Sequence, residues 1–446
     1  MEFLNYIGPW LAVGLSWLWV AIWQWILIRR AVEVMWKRDK MTNFFLTITI
    51  LWIALVESAV IYWFIIAFQI LWNETLPLLA SIWTWLSIWL AGMWAWIWEW
   101  ILVWWAIRAI DKNPEIKWKI MTFMVLFIAL VESAAIYWLV VSFKILWADD
   151  FSLMSFVWMW MAIWFAWLWV SIWEWIIAEK AMEVMWNRPK MISFFLTVTI
   201  LGIALAESAA IYWLVVAFDI LEKWLWLYAA MWAWAAIWLA GLWAWVGEWK
   251  LISGALSAME RNPEIKWKIM TFMVLFVALI EVVAIYWFII AFKISWWYEV
   301  DSMIYIWSWL AIGLAWTWVA IWQWFLWEES LSTMWKNPKM INFLLTITIL
   351  WIALVESAVI YALIVAFQIL SIDWLSIYAA LWAWTAIWFA GLWAWVGEWI
   401  LIKWSIYGIN IAPESKWKIL AFMVLFVALV EVVAIYGLII AFKVLG

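Results

Sequence analysis

The sequence predicts an all-α membrane protein in which twelve transmembrane helices form six tandem helical hairpins. Three observations predict this fold: an apolar composition, a sixfold internal repeat, and a polar loop in the middle of each repeat. Of the 446 residues, 72% are hydrophobic and 12% are charged, whereas about a quarter of the residues of a soluble domain are charged. Apolar runs of about 25 to 30 residues recur along the chain, and ~20 apolar residues already span a bilayer as a helix.

The repeat is marked by an acidic residue in an apolar setting. The segment ALVESAVIY of residues 54–62 recurs five more times with small changes. Its glutamates, here called the helix-2 column, are 74 or 75 residues apart: Glu57, Glu132, Glu207, Glu281, Glu356 and Glu431. A helix-1 column lies 33 residues before each of them: Gln24, Glu99, Glu174, Glu248, Gln323 and Glu398. Both columns lie about 16 helical residues, or ~24 Å, from the loop between them, which places both near the middle of a bilayer.

Each repeat is predicted to be one hairpin of two membrane helices. Odd-numbered hairpins share a segment similar to FFLTITIL, and even-numbered hairpins share FMVLF, so a pair of hairpins occurs three times. The predicted domains are hairpin 1 (1–75), hairpin 2 (76–150), hairpin 3 (151–224), hairpin 4 (225–299), hairpin 5 (300–373) and hairpin 6 (374–446).

The loops predict the orientation. Loops inside the hairpins are basic, as in RNPEIKWK, while connections between hairpins are mostly acidic, as in WADD and YEVD. The positive-inside rule then predicts cytoplasmic hairpin loops and both termini on the outer side. We expect a multi-pass protein of a bacterial or archaeal inner membrane. The first apolar run begins near Phe3 and leads directly into the repeat, so no cleavable signal peptide is predicted.

The mid-membrane carboxylates are the candidate functional groups. A charge at the bilayer centre costs about 3 kcal/mol or more, and such residues mark ion or proton pathways. Four helix-2 glutamates are followed directly by serine, at Ser58, Ser133, Ser208 and Ser357. A tyrosine stands five residues after each glutamate, at Tyr62, Tyr137, Tyr212, Tyr286, Tyr361 and Tyr436. Other interpretations are permanently protonated glutamates bonded to a neighbouring helix, and tyrosines that serve only as core or interfacial residues.

The stretches GLSWLWVAIWQW and ALVESAVIYWFIIAFQIL resemble the proteolipid of the rotor ring of rotary ATP synthases, in both its F-type and its V/A-type form. The resemblance covers the whole chain, six times. It implies a membrane rotor ring whose helix-2 carboxylates carry H⁺ or Na⁺, with lipid, a stator subunit of the a or I type, central-stalk subunits at the cytoplasmic loops and further copies of the chain as partners. No cofactor, no nucleic acid and no bond chemistry in this chain are expected, and ATP turnover would belong to partner subunits.

Members of that family that bind Na⁺ resemble this chain further. The resemblance groups Gln24, Glu57, Ser58 and Tyr62 as the first ion site, with Na⁺ at the corresponding residues of the later repeats. Val282 and Val432 replace the serine in hairpins 4 and 6, which weakens the indication for Na⁺ over H⁺. Four repeats pair Glu with Glu, and two such groups in a low dielectric are expected to keep one proton between them. F-type and V/A-type enzymes are not separated by these features.

Tryptophan stands where that family places glycine. The chain has 60 Trp and 13 Gly, although membrane helices approach one another through small residues. One column holds Trp98, Gly247 and Gly397; another holds Trp63, Trp138, Trp213, Trp287, Ala362 and Gly437. Our hypothesis is that most of these Trp are Gly in the organism, because some bacterial lineages read UGA as glycine. Deliberate Gly→Trp design and a natural Trp-rich protein are the rivals.

Two other functions fit a polytopic chain with buried acids. A secondary transporter or channel is one, but six hairpins of identical polarity differ from the usual two inverted repeats. An inert membrane scaffold, natural or designed, is the other, and it gives no reason for acids at six equivalent depths. Six hairpins also look too few to close a ring of the usual size, so more than one chain per ring is predicted.

Overall fold

The computed structural model describes residues 24–73, 77–147, 172–222, 227–296, 304–308, 310, 326–327, 329–372 and 375–446. The chain divides into two compact units, Met1–Ile203 and Ala204–Gly446. Throughout the described ranges the secondary structure is helical, with no strand. The all-α prediction is therefore confirmed.

In the first unit the helices follow one another with short breaks. They are α1 (24–37), α2 (Thr42–Val56), α3 (Ser58–Trp72), α4 (Leu78–Lys112), α5 (Lys117–Leu146), α6 (172–187) and α7 (Ile192–Ala206), whose last residues pass the unit boundary. A single residue, Glu57, separates α2 from α3. Its φ and ψ of −72° and −14° are helical, and its N–H donates to the Ile53 carbonyl at 3.0 Å. The second helix of hairpin 1 therefore runs on through the acid.

The second unit repeats the same elements. They are α8 (Ser208–Glu222), α9 (Leu227–Arg261), α10 (Lys266–Trp296), a helical stretch at 304–308, α11 (329–336), α12 (Ile341–Ser371), α13 (Ile377–Ile411) and α14 (Lys416–Leu445). In hairpins 2, 4 and 6 both helices are described almost completely, and the two pack along each other as α4 with α5, α9 with α10 and α13 with α14.

Every hairpin loop contains one turn of 3₁₀ helix. The six turns are Asp39–Met41, Pro114–Ile116, Pro189–Met191, Pro263–Ile265, Pro338–Met340 and Pro413–Ser415. Proline opens five of them, where its fixed φ suits a first helical residue and its missing N–H has no partner to lose. The residue before the turn is more extended, as at Asn113 with φ −139° and ψ 88°. This combination reverses the chain within a few residues.

Five helices of the described ranges are long and apolar enough to cross a membrane. They are Pro114–Leu146, Pro263–Ser295, Pro338–Ser371, Ile377–Ile411 and Pro413–Leu445. Several of the other predicted spans lie partly outside the described residues, so the number twelve stays a prediction. Each predicted boundary between hairpins also falls on residues outside those ranges, and the six-domain division stays a prediction as well.

Tryptophan occupies many core positions. Trp52, Trp138 and Trp351 are at most 1% exposed, and their Nε1 groups have no hydrogen-bond partner among the described residues. A buried donor left unsatisfied costs about 1 to 3 kcal/mol. In contrast, Trp63 Nε1 donates to the Ile88 carbonyl at 2.7 Å. The indole groups therefore fill the core but place unmatched donors inside it.

Candidate functional site

The two polar columns meet inside each described hairpin. In hairpin 1, Gln24 Nε2 donates to Glu57 Oε1 at 2.8 Å. In hairpin 4, Glu248 and Glu281 lie within electrostatic range of each other, and the repulsion between two such acids is relieved when one of them holds a proton. Residues of the two columns lie side by side because both are equally far from the loop. Two antiparallel helices joined by a tight turn bring such residues to the same level.

The helix-1 acids are the more deeply buried column. Glu99 and Glu398 are 0% exposed, and neither carboxyl group has a hydrogen-bond partner among the described residues. Each lies within electrostatic range of the helix-2 acid of its own hairpin, Glu132 or Glu431. Burying a carboxylate without a partner is costly. These groups are therefore suited to hold a proton or to face a cation, and not to remain as bare charges.

The helix-2 acids are closer to the protein surface. Glu57, Glu132, Glu356 and Glu431 are half-buried, whereas Glu281 is buried. A half-buried carboxyl group can exchange a proton or ion with an outside partner more readily than a fully enclosed one. The geometry therefore separates an enclosed helix-1 group from a more accessible helix-2 group.

The hydroxyl groups at each site come from the preceding hairpin. Ser357 Oγ and Tyr361 Oη of hairpin 5 both donate to Glu431 Oε1 of hairpin 6, the tyrosine at 3.5 Å and the serine in a short contact. Tyr212 of hairpin 3 lies within electrostatic range of Glu281 of hairpin 4. These sites therefore lie between adjacent hairpins and not within one.

The same direction holds at two further sites. Tyr62 interacts electrostatically with Glu132 and Glu99 of hairpin 2. Tyr286 of hairpin 4 interacts with Glu356 of hairpin 5. At every site where a tyrosine partner is described, the tyrosine precedes the acid by one hairpin.

The resemblance groups Tyr62 with Gln24 and Glu57, whereas the acids within electrostatic range of Tyr62 in the structure are Glu132 and Glu99. Five residues along a helix at about 100° each place the tyrosine roughly 140° around the axis from the glutamate. The acid then faces one side of its hairpin and the tyrosine faces the next hairpin. This angle is readable in the sequence, and it is the signal that would have separated the two residues.

The structure does not describe the side chains of some predicted site residues. Gln323 lies outside the described residues, and the side chains of Ser58, Ser133 and Ser208 are not described either. Glu174 is buried and Glu207 half-buried, in different compact units. Tyr137 is half-buried, and Tyr436 is 63% exposed.

Comparison with protein families gives a match over more than half of the chain. The family model for the C subunit of ATP synthase matches residues 7–70, 82–145, 157–220 and 231–294, which together make up over half of the chain. Each matched range contains one helix-2 glutamate, at Glu57, Glu132, Glu207 and Glu281. Hairpins 5 and 6 lie outside these ranges and carry the same two columns. No curated protein matches the chain.

Proposed function

The chain belongs to the C-subunit family of ATP synthases, and from this premise we propose how its residues carry ions. The family role is that of a membrane rotor component that carries ions and does no catalysis itself. We propose that the helix-2 glutamates bind and release the transported cation as the rotor turns past a stator subunit. ATP synthesis or hydrolysis takes place in partner subunits.

The cluster around Glu431 is the observation that carries this proposal. Its carboxyl group accepts hydrogen bonds from Ser357 and Tyr361 and lies near Glu398. The cluster lies between helices that are otherwise apolar and long enough to span a bilayer. Polar groups at such depth are expensive and are typical of ion pathways. Oxygen atoms from carboxyl and hydroxyl groups are also the ligands that hard cations such as Na⁺ prefer.

The helix-1 and helix-2 acids differ in burial, and this difference allows the cation to be taken up and released. The enclosed helix-1 acid keeps a proton, and the helix-2 carboxylate takes up the cation, so that its negative charge is neutralised. When the half-buried helix-2 group meets a competing charge on the stator, the cation leaves. Rotation back into the lipid phase requires reloading, because an empty carboxylate in hydrocarbon is unfavourable.

The coupling ion proposed here is Na⁺, with H⁺ as the alternative. The Gln or Glu in helix 1, the Glu-Ser pair and the tyrosine favour Na⁺. Labelling with a hydrophobic carbodiimide, which modifies protonated carboxyl groups, distinguishes the two. Na⁺ should protect the helix-2 glutamates in a concentration-dependent way, and an absence of protection at any Na⁺ concentration would assign the site to H⁺.

The function is tested by removing the charge from all helix-2 acids. Substituting Glu57, Glu132, Glu207, Glu281, Glu356 and Glu431 by Gln keeps their size and removes their charge. Reconstituted vesicles should then lose ion-driven ATP formation completely, while the complex should still assemble. Unchanged ATP formation and ion flux would refute the proposal.

The remaining assignments follow from the charge pattern and the family. We propose that the basic hairpin loops face the cytoplasm of a bacterium or archaeon and bind central-stalk subunits, with the termini on the outer side. The stator subunit and further copies of the chain are the other proposed partners. Protease accessibility of tags in the loops of sealed vesicles tests this orientation.

A further inference from the structure

The first helices carry charged residues on the loop side of the helix-1 column and none on the other side of it. The stretches that precede the column have no charged residue: 4–23, 78–98, 153–173, 227–247, 304–322 and 377–397. Between the column and the last turn of the helix, every hairpin has at least one charged residue: Arg29, Arg30, Glu33, Arg108, Glu179, Lys180, Glu183, Lys250, Glu328, Glu329 and Lys403. The second helices have none at the corresponding depth, in 42–56, 120–131, 192–206, 269–280, 341–355 and 419–430. The two helices of a hairpin therefore differ in polarity.

The charged residues lie along one face of the first helix. In α6, Glu179, Lys180 and Glu183 are half-buried, whereas Ala181 and Met182 between them are 0% exposed. Residues three or four positions apart share a face of a helix. We call the face of the first helices that carries these charges the charged stripe.

The stripes of neighbouring hairpins adjoin one another. The guanidinium carbon of Arg30 lies 5.7 Å from the centre of the Trp104 ring, and that of Arg108 lies 5.4 Å from the same ring. Arg108 of hairpin 2 is also within electrostatic range of Glu179 of hairpin 3. In the first compact unit, the stripes of hairpins 1 to 3 therefore form one continuous surface. Hairpin 2 has a neighbour on both sides, so its exposed stripe is not a consequence of a chain end.

At the same depth, the exposed part of the second helix is apolar. Lys180 and Leu201 are equally distant along the chain from the middle of the loop of hairpin 3, so they lie at one level. Glu329 and Leu350 of hairpin 5 are related in the same way. Leu350 is 41% exposed and Leu201 is half-buried, as are the two charged residues level with them. One hairpin thus has a charged surface and an apolar surface at a single depth, which indicates two different surroundings.

The arrangement of the charges argues against hydrocarbon around the stripe. Charged side chains in membrane-spanning helices are costly in lipid and almost always face the protein interior or water. A lysine can extend its ammonium group to the interface, whereas the shorter glutamates Glu179 and Glu329 hold their charge near their own level. Lys180 Nζ pairs with Glu183 Oε2 at 2.6 Å, and the two side chains are 25% and 43% exposed, so protein does not enclose the pair. Water is the medium that solvates both signs of charge.

We propose that the charged stripes border water that enters from the loop side of the membrane, while the second helices face lipid at the same depth. Water, and not a charged ligand, is the occupant because the stripe changes sign from hairpin to hairpin, as at Arg29 and Arg30 in hairpin 1, Glu329 in hairpin 5 and Lys403 in hairpin 6. The uncharged stretches that precede the helix-1 column then seal this part of the membrane. The inference requires only the membrane setting, and it is independent of ion binding at the helix-2 glutamates.

Spin labels at one depth test the inference. The chain has no cysteine, so Glu329→Cys and Leu350→Cys each introduce a single attachment site, at one level on the two helices of hairpin 5. In the assembled complex in lipid vesicles, electron paramagnetic resonance measures how often each label collides with a water-soluble nickel chelate and with oxygen, which concentrates in hydrocarbon. The label at position 329 should show a nickel-to-oxygen collision ratio several-fold higher than the label at position 350. Ser332→Cys, one turn further along the stripe, keeps every charge and should behave like Glu329→Cys.

The two other surroundings give different results. If the labels at positions 329 and 332 favour oxygen as strongly as the label at position 350 does, the stripe faces lipid and the inference is wrong. Rare collisions with both reagents at positions 329 and 332 would also overturn it, since a protein segment would then cover the stripe. Should Glu329→Cys prevent assembly, the comparison of Ser332→Cys with Leu350→Cys decides the question.

The side from which water enters is tested by chemical modification. A membrane-impermeant maleimide, added to sealed vesicles from the side of the hairpin loops, should modify Glu329→Cys and leave Leu350→Cys unmodified. The control is Lys339→Cys, at an exposed position of the loop of hairpin 5, which should react in the same vesicles. Modification of Glu329→Cys only from the opposite side would overturn the proposed direction of entry.

Discussion

At the scale of single residues, the candidate site depends on few donors. Glu431 receives two hydroxyl groups from hairpin 5, and Glu57 receives one amide from its own hairpin. Hydrogen bonds to a charged group contribute about 1.5 to 3 kcal/mol each. Under the proposed function, individual donors therefore determine how tightly a site holds its cation.

Ser357→Ala and Tyr361→Phe each remove one donor to Glu431. We expect either change to raise the Na⁺ concentration that protects Glu431 from carbodiimide by roughly tenfold or more, because each removes a bond to the ionised form. The matched control is Tyr378→Phe, which alters a tyrosine of hairpin 6 that is 74% exposed. Equal protection in Ser357→Ala and in the control would remove the serine from the site.

Some equivalent positions of the repeat hold glycine in one hairpin and tryptophan in another. Gly437 shows how much space is available to a side chain at one such position. A Cβ atom at Gly437 would clash with Ala390 Cβ and would lie 2.9 Å from the Ala386 carbonyl oxygen. Four counterparts of this residue are Trp and one is Ala. The close approach of the helices at Gly437 supports the hypothesis that the column is built for small residues. Codons at residues 17, 19, 23 and 25 test it directly, since UGG there would exclude UGA decoding.

Gly437→Ala is expected to lower the stability of the purified protein by about 1 to 3 kcal/mol, because overpacking forces the backbone apart. Gly408→Ala is the control. Its Cβ meets only Ile419 Cδ1 at an ordinary 3.6 Å, and alanine favours helix over glycine by up to about 1 kcal/mol. Melting curves should move in opposite directions for the two variants. If Gly437→Ala leaves the melting curve unchanged, the helices can move apart at this position without loss of stability.

At the scale of helices and loops, adjacent odd and even hairpins are joined by the same contacts. Arg38 of hairpin 1 pairs with Asp111 of hairpin 2 at 2.9 Å, and the corresponding Asn337 bonds to Asn410 in hairpins 5 and 6. The edge-on contacts of Phe44 with Trp118 and of Phe343 with Trp417 also correspond, at 5.3 and 5.1 Å. An ion pair in hairpins 1 and 2 and a pair of amides in hairpins 5 and 6 therefore occupy the same position. This indicates that the loop requires the geometry of the contact and not its charge.

Asp111→Asn tests that interpretation. The ion pair is partly exposed, so its loss should cost about 1 kcal/mol or less, and the difference from the parent should shrink in high salt. Thermal melting at two salt concentrations measures both effects. The control is Asp39→Asn, at an exposed loop position. A loss of several kcal/mol at Asp111, unaffected by salt, would show that the loop depends on the charge itself.

At the scale of the whole molecule, we predict more than one chain in the working assembly. Hairpin 6 presents Phe422 and Ile440, and hairpin 1 presents Ile28 and Trp25. Packing drives helix association in lipid, and the internal hairpins bury the same side chains against a neighbour.

Native mass spectrometry of the purified ring should therefore give an integral number of chains of at least two. Two chains would give twelve sites, of which four would be of the Gln type. As a control, the Glu57→Gln chain is co-expressed with an affinity-tagged parent chain. The tag changes the mass of a chain, so the number of distinct ring masses counts the copies independently. A ring containing a single chain would contradict the prediction.

The sequence by itself determined the helical class, the membrane setting and the sixfold register of acids, since these depend on composition and on spacing along one chain. It also placed Gln24 level with Glu57, because both lie equally far from the same turn. Only the tertiary structure decided that the hydroxyl groups of Ser357 and Tyr361 donate to Glu431 of the next hairpin. The side chain of Tyr361 reaches Glu431 and not Glu356 because of how one helix is rotated against the next hairpin, and that rotation is set by packing between segments far apart in sequence.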